Sequence, residues 1–506
     1  MKKVNIIPYY NSLLVVFSLI SFILILFLRI KIMFFHTFDI GGLEHYWICS
    51  IQKILLGYNL YENPQVPPFD IIQYAPLHFY LVAFIEKITG INGYNPYDVY
   101  LTSRIVALSL NIIMLFIIAA ILHKVFRVKV GLNILACVLS FVTLTPHFYS
   151  RGDCLYIVLS LGSFAFFLLF IKSVFFKNKV IFLIISCLLA VLTLFTKQSG
   201  LMIMGIYVFF LLFINKDYKF LGITIISFIV FGAIIFFSIV PNDQYYTIYQ
   251  NTILGLNHGY SLFFFISIFT NRYYLDMLCF LIIGIVFSIY FLKQTTIEYK
   301  FLGVSIALSL AFGIATGFKI GASLNYLIDF YIFTFIGLAI YLSSIQSEKK
   351  IIFKIFIYLA IVIVLFFKSA ELFSAVYISH YRSDEKELYD NEKQVTDYFI
   401  KDLKVDTSAH IYLADRGSLE NFLIRYTVMN HKEVVELTNV RHVFDYSYFK
   451  SNANDGYVKY LIVDRKNHPD SFDIKDGSIE LFGIKFTNFN MIKKIGEFSI
   501  YQYSKI

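Results

Sequence analysis

FFHTFDIGGLEHY, residues 34–46, follows an apolar run at 12–28 and carries a carboxylate, Asp39, where the chain leaves that run. The run is long enough to cross a bilayer core of about 30 Å. Lys2 and Lys3 precede it and no small-residue cleavage site interrupts it, which predicts an uncleaved signal anchor with its amino end in the cytoplasm. Arg29 and Lys31 at the far end oppose the usual charge bias, as a departure from it or as snorkelling side chains. What Asp39 faces depends on how the remaining chain is threaded.

Composition excludes an ordinary soluble domain, because 58% of the 506 residues are hydrophobic and only 15% are charged. Further apolar runs at 99–122, 130–144, 155–171, 180–195, 201–214, 221–240, 274–292, 301–316, 324–342 and 351–367 predict an α-helical polytopic membrane protein of about eleven spans. Alternate threading puts Lys124, Arg127, Lys129, Lys172, Lys177, Lys179, Lys216, Lys219, Lys293, Lys300, Lys349, Lys350 and Lys354 on the inner side, against Asp217, Glu298 and Glu348. That asymmetry is the positive-inside rule, so the net charge of +9 reflects orientation and calls for no nucleic acid. The five cysteines form no framework pattern, and no obligatory disulfide is expected.

The segments left outside are long. Residues 39–98 hold two partly amphipathic helical pieces, 43–56 and 77–88, expected to lie in the membrane interface and separated by the turn-rich NPQVPPFD at 63–70. A second outer segment, 241–273, is rich in Tyr and Asn and is placed to roof a cavity. From about residue 383 hydropathy drops, and strand-like runs (410–414, 459–463, 497–503) alternate with helical ones (419–426, 440–448). The expected organisation is a transmembrane module over 1–382, with its outer loop at 36–98, and a small extracytoplasmic α/β domain over 383–506. There is no internal repeat, Gly-rich phosphate loop, zinc pattern or nucleophile elbow.

Charge beside hydrocarbon is costly and usually serves a site. Asp39, Arg151, Asp153, Lys197, Lys319 and Asp329 all fall at or near the outer boundary, which predicts one cavity open to that side. Such a mixture suits sugar transfer from a lipid-linked donor: a carboxylate takes the proton of the attacking hydroxyl, and fixed cations stabilise the departing phosphate. For a monophosphate leaving group protein cations can suffice, whereas a diphosphate would favour a divalent cation, which is possible but which nothing in the sequence indicates. Each residue also has a plainer reading. Asp39 can cap the following helix. Glu44 and His45 suit a solvated helix face, and Arg151 with Asp153 suits an exposed ion pair of about 0–1 kcal/mol. Lys197 and Lys319 can snorkel to headgroups, although a tight outer hairpin gives Lys197 little reason to do so. Tyr61, Tyr74 and His78 suit an interfacial belt as well as a pocket. Asn325 and Asp329, four apart on one predicted helix, share a face fit for an interhelical bond or a substrate contact. A transporter or lipid-linked glycan flippase would favour repeats and midplane charges. An envelope polymer ligase or polymerase would favour a large Arg-rich outer loop, where this chain has an acidic one.

The order of several short stretches resembles the polytopic glycosyltransferases of the GT-C fold, which include protein O-mannosyltransferases and the aminoarabinose and galacturonic acid transferases of lipopolysaccharide. The stretches are Asp39 after the first span, LLGYNLYENP (55–64), QYAPLHFYL (73–81), SRGDCL (150–155), FTKQSGL (195–201) and GFKIGASLNYLIDF (317–330). The resemblance implies a polyprenyl-phosphate sugar donor, a lipid, glycan or protein acceptor, and a plasma (inner) membrane location. It implies Asp39 as base, Asp153 as a second acidic site residue, and Lys197 with Lys319 near the donor phosphate, joined by Arg151. Gln198, within the FTKQSGL stretch, joins the expected pocket. Many relatives carry an acidic pair at the first position, whereas here Asp39 precedes Ile40 and the next acid is Glu44, so the base is one of these two.

Overall fold

In a computed structural model of the chain, the described residues are 7–36, 44–144, 150–257, 259–263, 265–266, 277–320, 324–344, 351–381, 384–414, 417–464 and 479–504. They form two compact units, one drawn from 1–34, 104–239 and 260–378, the other from 35–103, 240–259 and 379–506.

The first unit is helical. Among the described residues eight helices are long and apolar enough to cross a membrane: Ser12–Met33, Pro96–Val125, Asp153–Lys172, Phe176–Leu194, Tyr218–Ile239, Ile297–Gly317, Asn325–Ser344 and Phe353–Ser374. Three further apolar helices, Val130–Thr143, Gln198–Ile214 and Leu278–Leu292, are shorter. The chain is an integral membrane protein. Each apolar run read from the sequence is helical where described, since hydrocarbon leaves the backbone no partner but itself.

Helices in lipid meet through shape and small polar residues, not through hydrophobic burial. Ser163 donates to the Ser186 carbonyl at 2.8 Å and Ser186 to the Ser163 carbonyl at 2.9 Å, pinning Asp153–Lys172 to Phe176–Leu194. Gly284 lets Leu278–Leu292 approach Ile328–Ser344, where an added methyl would lie 2.3 Å from the Phe330 ring. Phe167 stacks on Tyr207 at 4.0 Å and Phe164 on Phe301 at 5.0 Å. Arg29 does not snorkel: it is fully buried, its guanidinium 5.8 Å from the centroid of Phe141.

The second unit centres on a four-stranded sheet of β1 (Ile411–Leu413), β2 (Tyr460–Asp464), β5 (Phe489–Ile495) and β6 (Phe498–Tyr503), in the order β1-β2-β6-β5. β1 and β2 are parallel and the other pairs antiparallel. A hairpin of β3 (Ile479–Leu481) and β4 (Ile484–Phe486) stands beside it in sequence. Alternation puts Ile411, Leu413, Ile462, Phe498 and Ile500 into one core with Val395, Phe399, Leu419 and Leu423. Tyr412, on the other face of β1, meets Phe449 and Phe486. The three strands read from the sequence are present, but β3, β4 and β5 were not anticipated. β5 reads FNMIKKI, exposed through its middle, and carries little apolar alternation. The helix expected over 440–448 is two helices, Lys432–Val440 and Ser447–Asn452, joined by a turn in which the Asp445 carboxylate accepts the Ser447 N–H at 2.8 Å.

The helix Glu44–Leu55 belongs to this unit and is buried from Glu44 to Lys53. Its polar side chains find partners far along the chain. Gln52 donates to the carbonyls of Gly93 at 2.8 Å and Asn421 at 3.0 Å. Leu77–Ile88 starts and ends where expected and exposes Phe84 and Ile88.

Candidate functional site

The site residues of the first unit gather around a hairpin at 193–200. The Lys197 N–H donates to the Thr193 carbonyl at 2.9 Å, and the Gly200 N–H to the Lys197 carbonyl at 2.9 Å. Lys197 itself is extended. Gly200 is required by close approach, because a Cβ there would lie 2.4 Å from the Leu194 nitrogen. The reversal turns the Lys197 side chain inward, leaving it 4% exposed.

Its ammonium lies 2.6 Å from Asp153 Oδ1, and Arg151 Nε lies 3.1 Å from Oδ2 of the same carboxylate. Asp153 opens the helix Asp153–Lys172, where the helix dipole favours an anion. The Tyr326 and Tyr156 rings lie 5.0 and 5.9 Å from the Lys197 ammonium. The Tyr156 hydroxyl in turn donates to Asp329 Oδ2 at 2.6 Å, and Ser160 Oγ to Oδ1 at 2.8 Å. Burial, then the nearby Lys197 charge, pushes Lys319 down to about 8. Arg151 and Lys197 are thus paired with Asp153, Tyr156 stands between Lys197 and Asp329, and Lys319 is near enough to feel the Lys197 charge. Three basic groups share this neighbourhood, an arrangement that can accept a further anion.

Asn325 and Asp329 do not share an α-helical face. Asn325 sits in a 3₁₀ turn, Leu324–Leu327, and the α-helix begins at Ile328, so the four-residue spacing does not apply. Gln198 opens the 3₁₀ turn Gln198–Gly200 and is half-buried.

Asp39 lies outside the described residues. The remaining candidates fall in the second unit. Glu44 opens its helix fully buried, not on a solvated face. Tyr61 donates to the Tyr74 carbonyl at 2.7 Å. Trp47 lies 4.4 Å from the Tyr74 ring and 5.4 Å from His78. Tyr61 and His78 are fully enclosed and Tyr74 partly so, making a packed aromatic cluster where a membrane belt was the plainer reading.

Sequence reading missed a buried polar network in this unit. Lys53 bonds to Glu62 at 2.9 Å and makes a tight ion pair with Asp70, which also meets His431 Nδ1 closely. Burial alone would raise the Asp70 carboxyl, but His431 and Lys53 outweigh it and hold it well below the usual range. Burial would likewise lower Lys53 and His431, and their carboxylates hold both above their ordinary values. The His431 N–H donates to both Glu420 oxygens, at 3.0 and 3.1 Å, and the Cys49 thiol donates to Glu420 Oε1 at 3.3 Å. The sequence carried little signal for it, because Lys53 lies in a helix of mixed polarity that also holds Glu44, His45, Ser50 and Gln52.

No protein-family model matches the chain, and no curated protein matches it by sequence. Solved structures do match. ArnT from Cupriavidus metallidurans, in a crystal structure with undecaprenyl phosphate bound, superimposes with a TM-score of 0.59 at 9% identity, over 97% of this chain and 98% of that one. The oligosaccharyltransferase of Archaeoglobus fulgidus, in its apo form, superimposes with a TM-score of 0.57 at 13% identity, over 90% and 70%. The chain therefore has the GT-C fold.

Proposed function

We propose that this chain is a membrane glycosyltransferase, moving a sugar from a polyprenyl-phosphate-linked donor to a lipid, glycan or protein acceptor at the extracytoplasmic face of the plasma membrane. The amino terminus is cytoplasmic and the carboxy-terminal α/β domain, 383–506, lies outside, as the lysine and arginine distribution supports. The observation that carries the reading is the basic cluster in which Arg151 and Lys197 pair with Asp153 and Lys319 feels the Lys197 charge, on a fold shared with an aminoarabinose transferase whose crystal structure holds undecaprenyl phosphate.

In this reading the acceptor hydroxyl attacks the anomeric carbon as the carbon–oxygen bond to the lipid phosphate breaks. The hydroxyl proton passes to Asp39, and the bonding pair leaves with the polyprenyl phosphate. One in-line displacement inverts the anomeric centre. Lys197, Lys319 and Arg151 meet the charge gathering on the phosphate, each such interaction being worth about 10²- to 10³-fold in rate. Asp153 spreads Lys197 and Arg151 to fixed positions, and the Tyr156 and Tyr326 rings keep the ammonium desolvated.

Mass spectrometry of surface glycans and lipids from cells lacking the protein tests the class, since a missing sugar names donor and acceptor together. With that donor in hand, Asp39→Asn should lower transfer by about 10²- to 10⁴-fold at unchanged expression. Full activity in that variant would remove Asp39 as the base, and an unaltered surface composition would contradict the function.

A further inference from the structure

We propose that Cys49, Glu420 and His431 form a buried site for one zinc-type divalent ion, structural in role, which ties the helix Glu44–Leu55 to the segment between β1 and β2. The three residues come from separate segments, and their ligand atoms already lie within 4.8 Å of one another. Zinc bonds of about 2.0–2.3 Å place tetrahedral ligands roughly 3.3–3.9 Å apart, so shifts of about an ångström close the set. The thiol and carboxylate are there already, with Cys49 Sγ 3.3 Å from Glu420 Oε1.

Burial separates this group from an ordinary surface cluster: Cys49, Glu420 and His431 are 0, 4 and 1% exposed. Histidines that ligate metals usually give their other ring nitrogen to a carboxylate, which fixes the tautomer and aims the ligating nitrogen. Asp70 does this at His431 Nδ1 and is itself anchored by Lys53. That leaves Nε2, whose N–H donates to the Tyr46 carbonyl oxygen at 3.2 Å, a hydrogen bond that the metal would replace. Tyr46 sits one helical turn before Cys49, so Nε2 already faces the stretch that supplies the sulfur. The same carbonyl oxygen is a candidate for the fourth position.

A thiolate, an imidazole and one carboxylate select zinc-like ions over magnesium or calcium, which prefer all-oxygen sites. On binding, the Cys49 thiol proton and any proton on His431 Nε2 leave to solvent while bonds form from Sγ, Nε2 and a Glu420 oxygen. The site shares no residue with the Lys197 cluster, and it holds whether or not sugar transfer is the activity.

The test uses the purified full-length protein in detergent, stripped with a chelator and titrated with Co²⁺ as the spectroscopic probe. One equivalent should bind with a thiolate-to-cobalt absorption in the near ultraviolet, and zinc should displace it and raise the melting temperature. Cys49→Ala should abolish the absorption, and Cys154→Ala should leave it intact. Asp70→Asn should weaken zinc binding about 10- to 100-fold. Wild-type protein that stays monodisperse yet takes up no cobalt and gains no thermal stability from zinc would overturn the proposal. So would a charge-transfer band that survives Cys49→Ala.

Discussion

Lys197 and Asp153 show why some candidate site residues are visible in a sequence and others are not. A charge set among apolar residues is conspicuous by its cost, so Arg151, Asp153, Lys197, Lys319 and Asp329 stood out, and the structure pairs Lys197 and Arg151 with Asp153, at 2.6 and 3.1 Å, and sets Tyr156 between Lys197 and Asp329. Lys53, Asp70 and His431 sit in stretches of mixed polarity where charge is unremarkable, and His431 is 361 residues from its carboxylate. Glu86 was equally hidden. Burial holds its carboxyl up at about 9, opposed only partly by the Ser103 hydroxyl, which donates at 3.4 Å. An unfolded glutamate titrates near 4.3. Between those values the folded chain keeps a proton that the unfolded chain releases, so this group costs stability progressively as pH rises from about 4.3 to 9. Glu86→Gln keeps a neutral hydrogen-bonding side chain and should remove that loss. Melting in detergent at pH 6 and pH 9 checks it: the variant should gain on the wild type at the higher pH, and parallel curves would refute the assignment.

At the scale of elements, apolar length located the helices of the first unit because lipid allows the backbone few other conformations. Their ends were less exact. The helix expected from residue 324 starts with a 3₁₀ turn, which separates Asn325 from the face carrying Asp329. Strand β5 was missed because Lys493 and Lys494 face solvent and mask the alternation that marked β2 and β6. The hairpin at 193–200 was legible as a tight reversal, but the reason it closes lies in Gly200, whose α-carbon rests against the Leu194 backbone. Gly200→Ala must push these two backbone segments apart and carry Lys197 away from Asp153. The expected result is a protein with wild-type expression, a lower melting temperature and, under the proposed function, at least tenfold weaker transfer. Transfer at the wild-type rate would show that Lys197 does not need the position this turn gives it.

On the scale of the whole molecule, composition alone identified a polytopic membrane protein, and the lopsided lysine and arginine distribution predicts its orientation. The packing of 35–103 and 240–259 with 379–506 was beyond the sequence, since it depends on contacts such as Gln52 with Asn421 that span most of the chain. A GT-C fold at 9–15% identity to its solved neighbours carries the architecture without the chemistry, so the functional reading rests on the basic cluster. Binding of a radiolabelled polyprenyl monophosphate to the purified protein, set beside Lys197→Ala and Lys319→Ala, tests that cluster without knowledge of the sugar. The proposed function predicts saturable binding to the wild type and at least tenfold weaker binding to each variant that remains folded. Equal binding by all three proteins would contradict it.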